Sequence, residues 1–354
     1  MLGERLKRAR EAAGLSLRSL AEKVEVSHTL LSQFEKGQKT PDSGQLIRFS
    51  RALGVRSEYF LRPAAYSLEG LEFRKRSNLR VRDEKRIRAD VLDQIERRLE
   101  LEGLFPALAR GFEAPSDLPG EVVSEEDVEE LAILLRQAWG LGLGPIADMV
   151  DILEGQGFRV VMVDVDPSAR FDGLTAEVGG HPVVVVGREW PGDRQRFTLA
   201  HELGHRILAG RLSEESLEEE KACNRFAGAF LAPRMSVLES LGQKRTWLEP
   251  QELALLKEEY GLSMLGWVIR ARQLGILRAS SYERMARYFS KHGWRREEPR
   301  TYPAEKAHLF PQMVYRALGE DRISESKAAE LLAVPLAELR AQRNLEVAHA
   351  PADQ

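Results

Sequence analysis

The sequence predicts a multidomain protein that is mostly α-helical and contains one α+β part. Its 354 residues exceed the length of one typical domain, so two or three domains are expected. Apolar residues recur at helical spacing along most of the chain, whereas β-branched runs long enough for buried strands occur near the middle, in RVVMVDV and HPVVVVG. We therefore expect helical regions on both sides of a small sheet.

The composition is typical of a soluble, core-forming protein, because 43% of the residues are hydrophobic and 30% are charged. No apolar run approaches the roughly 18 residues of a membrane span, and the opening MLGERLKRAREAAG lacks the apolar stretch of a secretory signal. We therefore expect a cytoplasmic protein with no membrane partner. The single cysteine, Cys223, rules out an intrachain disulfide and a Cys-rich zinc cluster, so a metal site must use His, Asp or Glu.

Positive charge is concentrated at the front of a chain whose formal net charge is −3. Residues 1–61 contain 11 Lys and Arg against 7 Asp and Glu, and residues 73–88 contain 8 against 2. This asymmetry favours a nucleic-acid partner, although a solvated helix face has the same composition.

The N-terminal part predicts short helices separated by clear stop signals. Gly14, Gly37 and Gly54 each follow an apolar-periodic segment, and Ser16 and Ser27 stand at N-cap positions. The second and third of these helices, joined by the turn EVS, have the spacing of a helix-turn-helix, whose second helix enters the major groove of DNA. The other interpretation is a small helical protein-interaction domain with a polar exposed helix.

The outward side chains of this predicted helix-turn-helix fall into two groups. The short polar groups that could reach base edges are Ser27, His28, Thr29, Ser32 and Gln33. Those placed for phosphates, which position a protein without reading sequence, are Arg18, Lys36 and Lys39. Gln33 carries an amide that can pair bidentately with adenine, and a phosphate contact is the alternative for His28.

The stretch from LKRAREAAG to RSEYFL, with LSQFEKGQKTP as its most specific part, resembles the Xre/lambda-repressor-like family over about 60 residues. This resemblance implies a five-helix DNA-binding domain over 1–63 that acts as a dimer on a palindromic double-stranded operator. It also implies that the five short polar residues named above read bases.

We predict that residues 64–123 form a basic helical linker region. After this segment the sequence changes to a pattern of helices and strands. SEEDVEELAILLRQAW begins with a capping-box-like Ser124-x-x-Asp127 and continues as an amphipathic helix. The two β-branched runs come next, with a short strand predicted between them, and then two further helices. We therefore predict an α+β domain over 124–245 and a helical C-terminal region over 246–354, where ISESKAAELLAVPLAELRAQR has the rhythm of a second, small helix-turn-helix.

The stretch RFTLAHELGHRILAG fits the pattern H-E-x-x-H. His201 and His205 lie four residues apart, so on a helix they share one face and can direct ring nitrogens at one point. Glu202 is rotated by one residue and is available to hold a water rather than to bind a metal. The third ligand should come from the next helix, which has Glu220 on its first turn and Asn224 one turn further. The other interpretation is a pair of incidental histidines on an ordinary helix.

RQRFTLAHELGH followed by EEKACNRFAGAFLAP resembles the ImmA/IrrE family of metallopeptidases, over about residues 124–240. The resemblance implies a zincin-like endopeptidase that holds zinc, with manganese as the alternative. It implies that His201, His205 and Glu220 are the ligands and that Glu202 is the general base. Members of this family cut a helix-turn-helix repressor and so release genes, in DNA-damage responses and in mobile elements.

Three positions depart from the family pattern. Ala222 and Cys223 stand where the pattern E-x-E-A has its second Glu and the following Ala, and Ala209 stands where members often carry another His. The neighbouring Glu218 and Glu219 leave the register of the third ligand open by one or two positions. A Cys223 thiolate is a further candidate ligand, and the other interpretation is a small buried side chain in an alanine-sized place.

Three functions fit this combination of features. The first is a transcriptional regulator whose peptidase domain cleaves a protein, either itself between domains or a separate repressor. The second is a regulator whose peptidase-like domain only senses a signal, and the third is an antitoxin-like autoregulator that also binds a second protein. Glu202 favours the first over the second, because a sensor needs no general base. The basic residues 73–88 are the predicted cleavable segment between domains.

Overall fold

A computed structural model describes residues 2–62, 79–166, 171–213 and 217–345. These ranges contain α-helices and one three-stranded sheet, which confirms the predicted fold class. The N-terminal helices are α1 (Leu2–Ala12), α2 (Leu17–Lys23), α3 (His28–Glu35) and α4 (Ser43–Leu53), followed by a 3-10 helix over Ser57–Leu61. The fifth helix of this domain is therefore a short 3-10 turn.

The predicted caps of α2 and α3 are present. Ser16 Oγ accepts a hydrogen bond from the Ser19 amide at 3.0 Å, and Ser27 Oγ accepts one from the Leu30 amide at 3.1 Å. Between the two helices Glu25 has a φ of 57°, the left-handed conformation that turns the chain sharply. The apolar faces of α1 to α4 and the 3-10 helix enclose one core, whose fully buried members include Leu6, Leu20, Leu31 and Phe49.

The central elements are α6 (Glu125–Ala138), α7 (Met149–Gly155), β1 (Arg159–Val163), β2 (Gly173–Val178), β3 (His181–Gly187), α8 (Gly192–Leu208) and α9 (Glu219–Leu231). The strand order is β1-β3-β2, with β1 parallel and β2 antiparallel to β3. Both faces of the sheet are covered, because Val184 and Val186 of β3 belong to the core that contains α8 while Val183 and Val185 belong to a second core. This explains the unbroken apolar run in HPVVVVG.

The second face of the sheet is covered by α5 (Val81–Glu102), which lies within the predicted linker region 64–123. At its other side α5 packs against α1, where Arg5 and Glu96 form a buried ion pair and Arg8 reaches the same carboxylate at 2.8 Å. The predicted linker is therefore in part a packed helix that contacts both neighbouring domains. Residues 73–78 of the predicted cleavable segment lie outside the described residues.

The core of the central domain continues past the predicted boundary at 245. The helices α10 (Arg234–Leu241), α11 (Pro250–Tyr260), α12 (Met264–Gln273) and α13 (Ala279–Lys291) contribute fully buried side chains to it, such as Trp267 and Phe289. Glu129 of α6 also accepts a hydrogen bond from Arg270 of α12 at 2.9 Å. Helical periodicity indicates that a helix has a buried face but not which element covers that face, so this continuity was invisible in the sequence.

The last three helices, α14 (Leu309–Gly319), α15 (Glu325–Leu331) and α16 (Leu336–Arg343), form a separate small core with Leu101 and Phe105. Ser324 caps α15, and Ala333 in the turn before α16 has a φ of 56°. This is the second, small helix-turn-helix that the sequence suggested. None of the helices in the described ranges is long and apolar enough to cross a membrane.

Candidate metal centre

The H-E-x-x-H residues lie in the second half of α8, which packs closely along α9. Gly204 occupies one of the two variable positions of the motif, and a Cβ added there would meet Phe226 Cδ1 at 3.1 Å and the Cα of Cys223 at 3.4 Å. A larger side chain would therefore push α9 away from the histidines. The small residue in HELGH sets the distance between the two helices.

Three of the predicted ligands converge between these helices. The Nε2 atoms of His201 and His205 are 3.1 Å apart. The two carboxylate oxygens of Glu220 lie 3.5 Å from His201 Nε2 and 3.2 Å from His205 Nε2. Glu220 therefore faces both imidazoles from the same side.

The spacing of these atoms fits a zinc ion. Two nitrogens bound tetrahedrally at about 2.1 Å from zinc lie about 3.4 Å apart, close to each of the three separations described above. The donor set of two imidazoles and one carboxylate is one that catalytic zinc sites use, with a fourth position open. The His201 and Glu220 side chains are 14% and 22% exposed, so solvent and a substrate can reach the site from this side.

The other ring nitrogen of each histidine is held by α9. His201 Nδ1 lies 3.1 Å from Asn224 Oδ1, and His205 Nδ1 lies 2.8 Å from Glu219 Oε1. Such bonds orient a metal-binding imidazole and select its tautomer. Asn224 was expected on this helix from the sequence, whereas the contact of Glu219 with His205 was not predicted. The run of glutamates was the signal that could have predicted this contact. Adjacent residues on a helix point about 100° apart, so Glu219 and Glu220 cannot both face the same nitrogen of His205.

Glu202 points to the sheet side of the site. It is buried, and its Oε2 accepts a hydrogen bond from the hydroxyl of Thr175 on β2 at 2.7 Å. The strand can approach because Gly173 lacks a side chain, and a Cβ there would lie 2.5 Å from Thr198 Cγ2 on α8. The role of Thr175 had no signal in the sequence, because it depends on how β2 packs on α8.

Cys223 lies behind the histidines. Its side chain is fully buried in the central core, and its Sγ is 3.3 Å from His205 Nδ1. Cys223, His205 and Glu219 thus form a second group with metal-ligand spacing, beside the group of His201, His205 and Glu220. The two groups use opposite nitrogens of His205. Solvent reaches the first group through His201 and Glu220, and it reaches the second through Glu219, whose side chain is 44% exposed.

The N-terminal half of α8 is anchored from a distant segment. The guanidinium of Arg196, which is fully buried, forms an ion pair with Glu305 at 2.6 Å. The other oxygen of Glu305 accepts hydrogen bonds from the first amides of α7, Met149 at 2.8 Å and Val150 at 3.2 Å. Burial raises the pKa of Glu305 above its ordinary value even though Arg196 opposes that shift. These contacts hold α8 at a defined height against the sheet.

The predicted DNA-facing residues lie together on the outer surface of α2 and α3. Ser27, His28 and Thr29 are exposed, and Ser32 and Gln33 are partly exposed. The three predicted phosphate contacts, Arg18, Lys36 and Lys39, are exposed. Two of these eight side chains also serve the fold, because Ser27 caps α3 and Arg18 pairs with Glu22 at 3.1 Å.

Comparison with protein families assigns both regions. Residues 1–58 match the model described as a helix-turn-helix domain, and residues 154–271 match the model described as the IrrE N-terminal-like domain of peptidase family M78. The chain is therefore a helix-turn-helix protein with an IrrE-like domain, which confirms the two resemblances found in the sequence. The second match also extends past residue 245, in agreement with the continuous core.

Individual relatives are similar to parts of the chain. The HTH-type transcriptional regulator ImmR of Bacillus subtilis is 37% identical over 60 residues, which is 17% of this chain and 47% of that protein. The matched part is thus about half of the relative's length. Among solved structures, Bacillus thuringiensis PlcR in complex with the peptide PapR7 and DNA is 12% identical, with 98% of this chain and 99% of that chain covered and a TM-score of 0.18. ComR from Streptococcus suis is 14% identical, with 98% and 91% covered and a TM-score of 0.16. Scores this low carry no argument.

Proposed function

We propose that this protein is a DNA-binding transcriptional regulator whose IrrE-like domain is a metal-dependent endopeptidase. Its substrate is a protein, either a helix-turn-helix repressor or another part of this chain, and cleavage relieves repression. The observation that carries the proposal is the convergence of His201, His205 and Glu220 on one point, with Glu202 directly after His201 on the same helix. A site that only held a metal for stability would have no use for Glu202.

Zinc is the metal that the two imidazoles and the Glu220 carboxylate would hold, and manganese is the alternative. When bound, zinc lowers the pKa of a coordinated water to about 7 and polarises a carbonyl group. Asn224 and Glu219 fix the ring planes of His201 and His205, so the ligands are oriented before a substrate arrives.

The proton transfers of peptide hydrolysis are assigned to Glu202. The hydroxyl of Thr175 donates to its Oε2 and orients the carboxylate, which takes a proton from the attacking water and passes it to the leaving amine. Thr175 is a positioning residue in this scheme.

The DNA-binding half of the proposal rests on the exposed polar face of α3. Ser27, His28, Thr29, Ser32 and Gln33 read bases, and Arg18, Lys36 and Lys39 bind phosphates of a double-stranded operator. As in other helix-turn-helix regulators, a homodimer would match a palindromic site.

A second candidate function is a metal-responsive regulator without turnover. One observation favours it: α5 packs on the sheet that carries Thr175 and also forms the buried Arg5–Glu96 ion pair with α1. A change at the metal site therefore has a continuous packed route to the DNA-binding domain. An antitoxin-like autoregulator has no comparable support among the described residues.

The test compares the full-length protein with its Glu202→Gln variant. Each is incubated with zinc or with manganese, alone and with a proteome-derived peptide library, and new termini are identified by mass spectrometry. We expect about one zinc per chain in both proteins, and cleavage by the unchanged protein only. His201→Ala should lose the metal, while Glu239→Gln, an exposed carboxylate on α10, should change neither property.

Two results would contradict the proposal in different ways. If both proteins bind zinc and neither cuts the library or itself, the sensor candidate replaces the peptidase. If neither protein binds zinc or manganese, the ligand assignment is wrong as well.

A further inference from the structure

A second charged surface lies on α13 and the segment that follows it. Residues 278–296 contain six Lys and Arg and one acid, Glu283. In the described part of the chain, no carboxylate pairs with the exposed side chains of Arg278, Arg287, Lys291, Arg295 and Arg296. Most exposed cations of α14 to α16 do form ion pairs, for example Arg316 with Glu320 and Arg340 with Glu325. Unpaired positive charge on α13 is thus available to an anionic ligand.

Aromatic rings lie among these cations. The Tyr288 ring centroid is 4.1 Å from that of His292, 5.3 Å from Trp247 and 5.5 Å from Trp294. His292 is exposed and the other three are partly exposed. The guanidinium of Arg284 lies 5.5 Å from the centre of the Trp247 ring. We call this set of rings and the cations of 278–296 the α13 surface.

Helix geometry places the charges and the rings side by side. Met285 and Phe289 are fully buried and define the inner face of α13. Arg284, Tyr288 and Lys291 follow the spacing i, i+4, i+7 and therefore share one flank of the helix. This flank presents an aromatic ring between two cations to solvent.

Core packing explains only part of this arrangement. Trp247, Tyr288 and Trp294 pack against the central core with one side, as closing residues of a domain do. Packing against the core does not account for the exposed ring of His292, or for the five cations beside the rings that no carboxylate of the described residues pairs with.

We propose that the α13 surface binds single-stranded nucleic acid. Unpaired bases stack on partly exposed aromatic rings, and the phosphates between them require a row of cations. Duplex DNA would engage the cations but cannot offer base faces to the rings, and the carboxylates of an acidic polypeptide do not bring aromatic bases to stack on them. This inference does not depend on peptidase activity.

The first experiment localises the contact on the full-length protein. A labelled oligo(dT) of about 16 nucleotides, a length that spans one typical site, is crosslinked to the protein by ultraviolet light and the modified peptides are mapped by mass spectrometry. We expect crosslinks within 278–296 or at Trp247. Crosslinks confined to α2 and α3 would overturn the proposal.

The second experiment measures affinity as a function of salt. Arg287→Ala/Lys291→Ala should weaken oligo(dT) binding about tenfold at low salt and lower the slope of log K against log salt by about 1.4, because two phosphate contacts are lost. His292→Ala should weaken binding about fivefold with an unchanged slope, because it removes a stacking surface rather than a charge.

The control is Arg316→Ala/Arg340→Ala, which removes the same charge from an exposed part of another region. An equal loss of oligo(dT) binding in this control would show a general charge effect and overturn the proposal. The proposal would also be overturned if the α13 variants lost binding to polyglutamate but kept binding to oligo(dT). Duplex binding through α3 should be the same in the unchanged protein, in the two α13 variants and in the control.

Discussion

Two regions of this molecule share one backbone arrangement but differ in what they present to solvent. The α2–α3 pair and the α15–α16 pair each join a helix of 7 residues to one of 8 residues. Each first helix has a serine cap, and each turn contains one left-handed residue, Glu25 with φ 57° and Ala333 with φ 56°.

The outer faces of the two pairs are different. α3 presents short polar side chains, whereas α16 presents Ala337 and Glu338 at its start. The two arginines further along, Arg340 and Arg343, are both engaged by Glu325 at 2.9 and 2.8 Å. The α15–α16 unit also faces the N-terminal domain, because Arg56 donates to the carbonyls of Ser326 and Val334.

A helix-turn-helix backbone alone is therefore not enough to define a DNA-binding unit. Charge separates the two as well, since residues 1–61 hold 11 Lys and Arg against 7 acids while residues 309–345 hold 5 against 5. We infer that α2–α3 binds DNA and that α15–α16 has a packing role beside it. Matched substitutions in the two pairs test this comparison.

The largest expected effects come from the core leucines. Leu31→Ala and Leu339→Ala each remove a side chain with no exposed surface, so each should destabilise its own unit by about 2–5 kcal/mol. Amide hydrogen exchange, which reports the two units separately, is the measurement. Binding to an operator selected from random DNA should be lost only in Leu31→Ala. An equal loss of operator binding in Leu339→Ala would contradict the conclusion that only the α2–α3 pair binds DNA.

The next effect concerns base reading. Gln33→Ala should reduce discrimination between the selected operator and a single-base variant by about 1–3 kcal/mol, because a bidentate amide contact is lost. Competition binding with the two duplexes measures it. Arg340→Ala, on the outer side of α16, is the matched control and should leave discrimination unchanged. Unchanged selectivity in Gln33→Ala would mean that α3 is not the recognition helix.

The capping serines should give smaller and nearly equal effects. Ser27→Ala and Ser324→Ala each remove an oxygen that accepts a backbone amide at the start of a helix, from Leu30 and from Lys327. Each should destabilise its unit by about 1 kcal/mol, as local hydrogen exchange would show. Ser27→Ala should in addition weaken operator binding. If only one of the two substitutions destabilised its unit, the α2–α3 and α15–α16 pairs would differ in more than the side chains on their surfaces.

The smallest expected effect is on salt dependence. Lys36→Ala or Lys39→Ala should each lower the slope of log K against log salt for duplex binding by about 0.9, since one phosphate contact is removed. Titrations at several salt concentrations measure the slope. Arg343→Ala, whose guanidinium pairs with Glu325, should leave the slope unchanged.

Much of the fold could be predicted because its signals are local. Ser16, Ser27 and Ser124 cap the helices that they were expected to cap. The runs RVVMVDV and HPVVVVG form β1 and β3. The pairing of His201 with His205 follows from helical spacing alone, since any helix brings residues four apart onto one face.

The remaining features depend on contacts between elements that are distant in the chain. Only the packing of α9 along α8 shows that Glu220 faces both imidazoles while Glu219 holds the second nitrogen of His205. Only the packing of β2 on α8 brings the hydroxyl of Thr175 to Glu202.

The helices, the strands, the two family resemblances and the candidate ligands could all be predicted from the sequence, because caps, periodicity and motifs act within a few residues. Contacts between distant elements show which glutamate faces both imidazoles and how far the central core extends along the chain. The tertiary structure also decided which faces of α3 and α13 remain open to solvent. The physical reason is that burial depends on which surfaces meet, and residues such as Leu118 and Phe289 meet in one core although they are far apart in the chain.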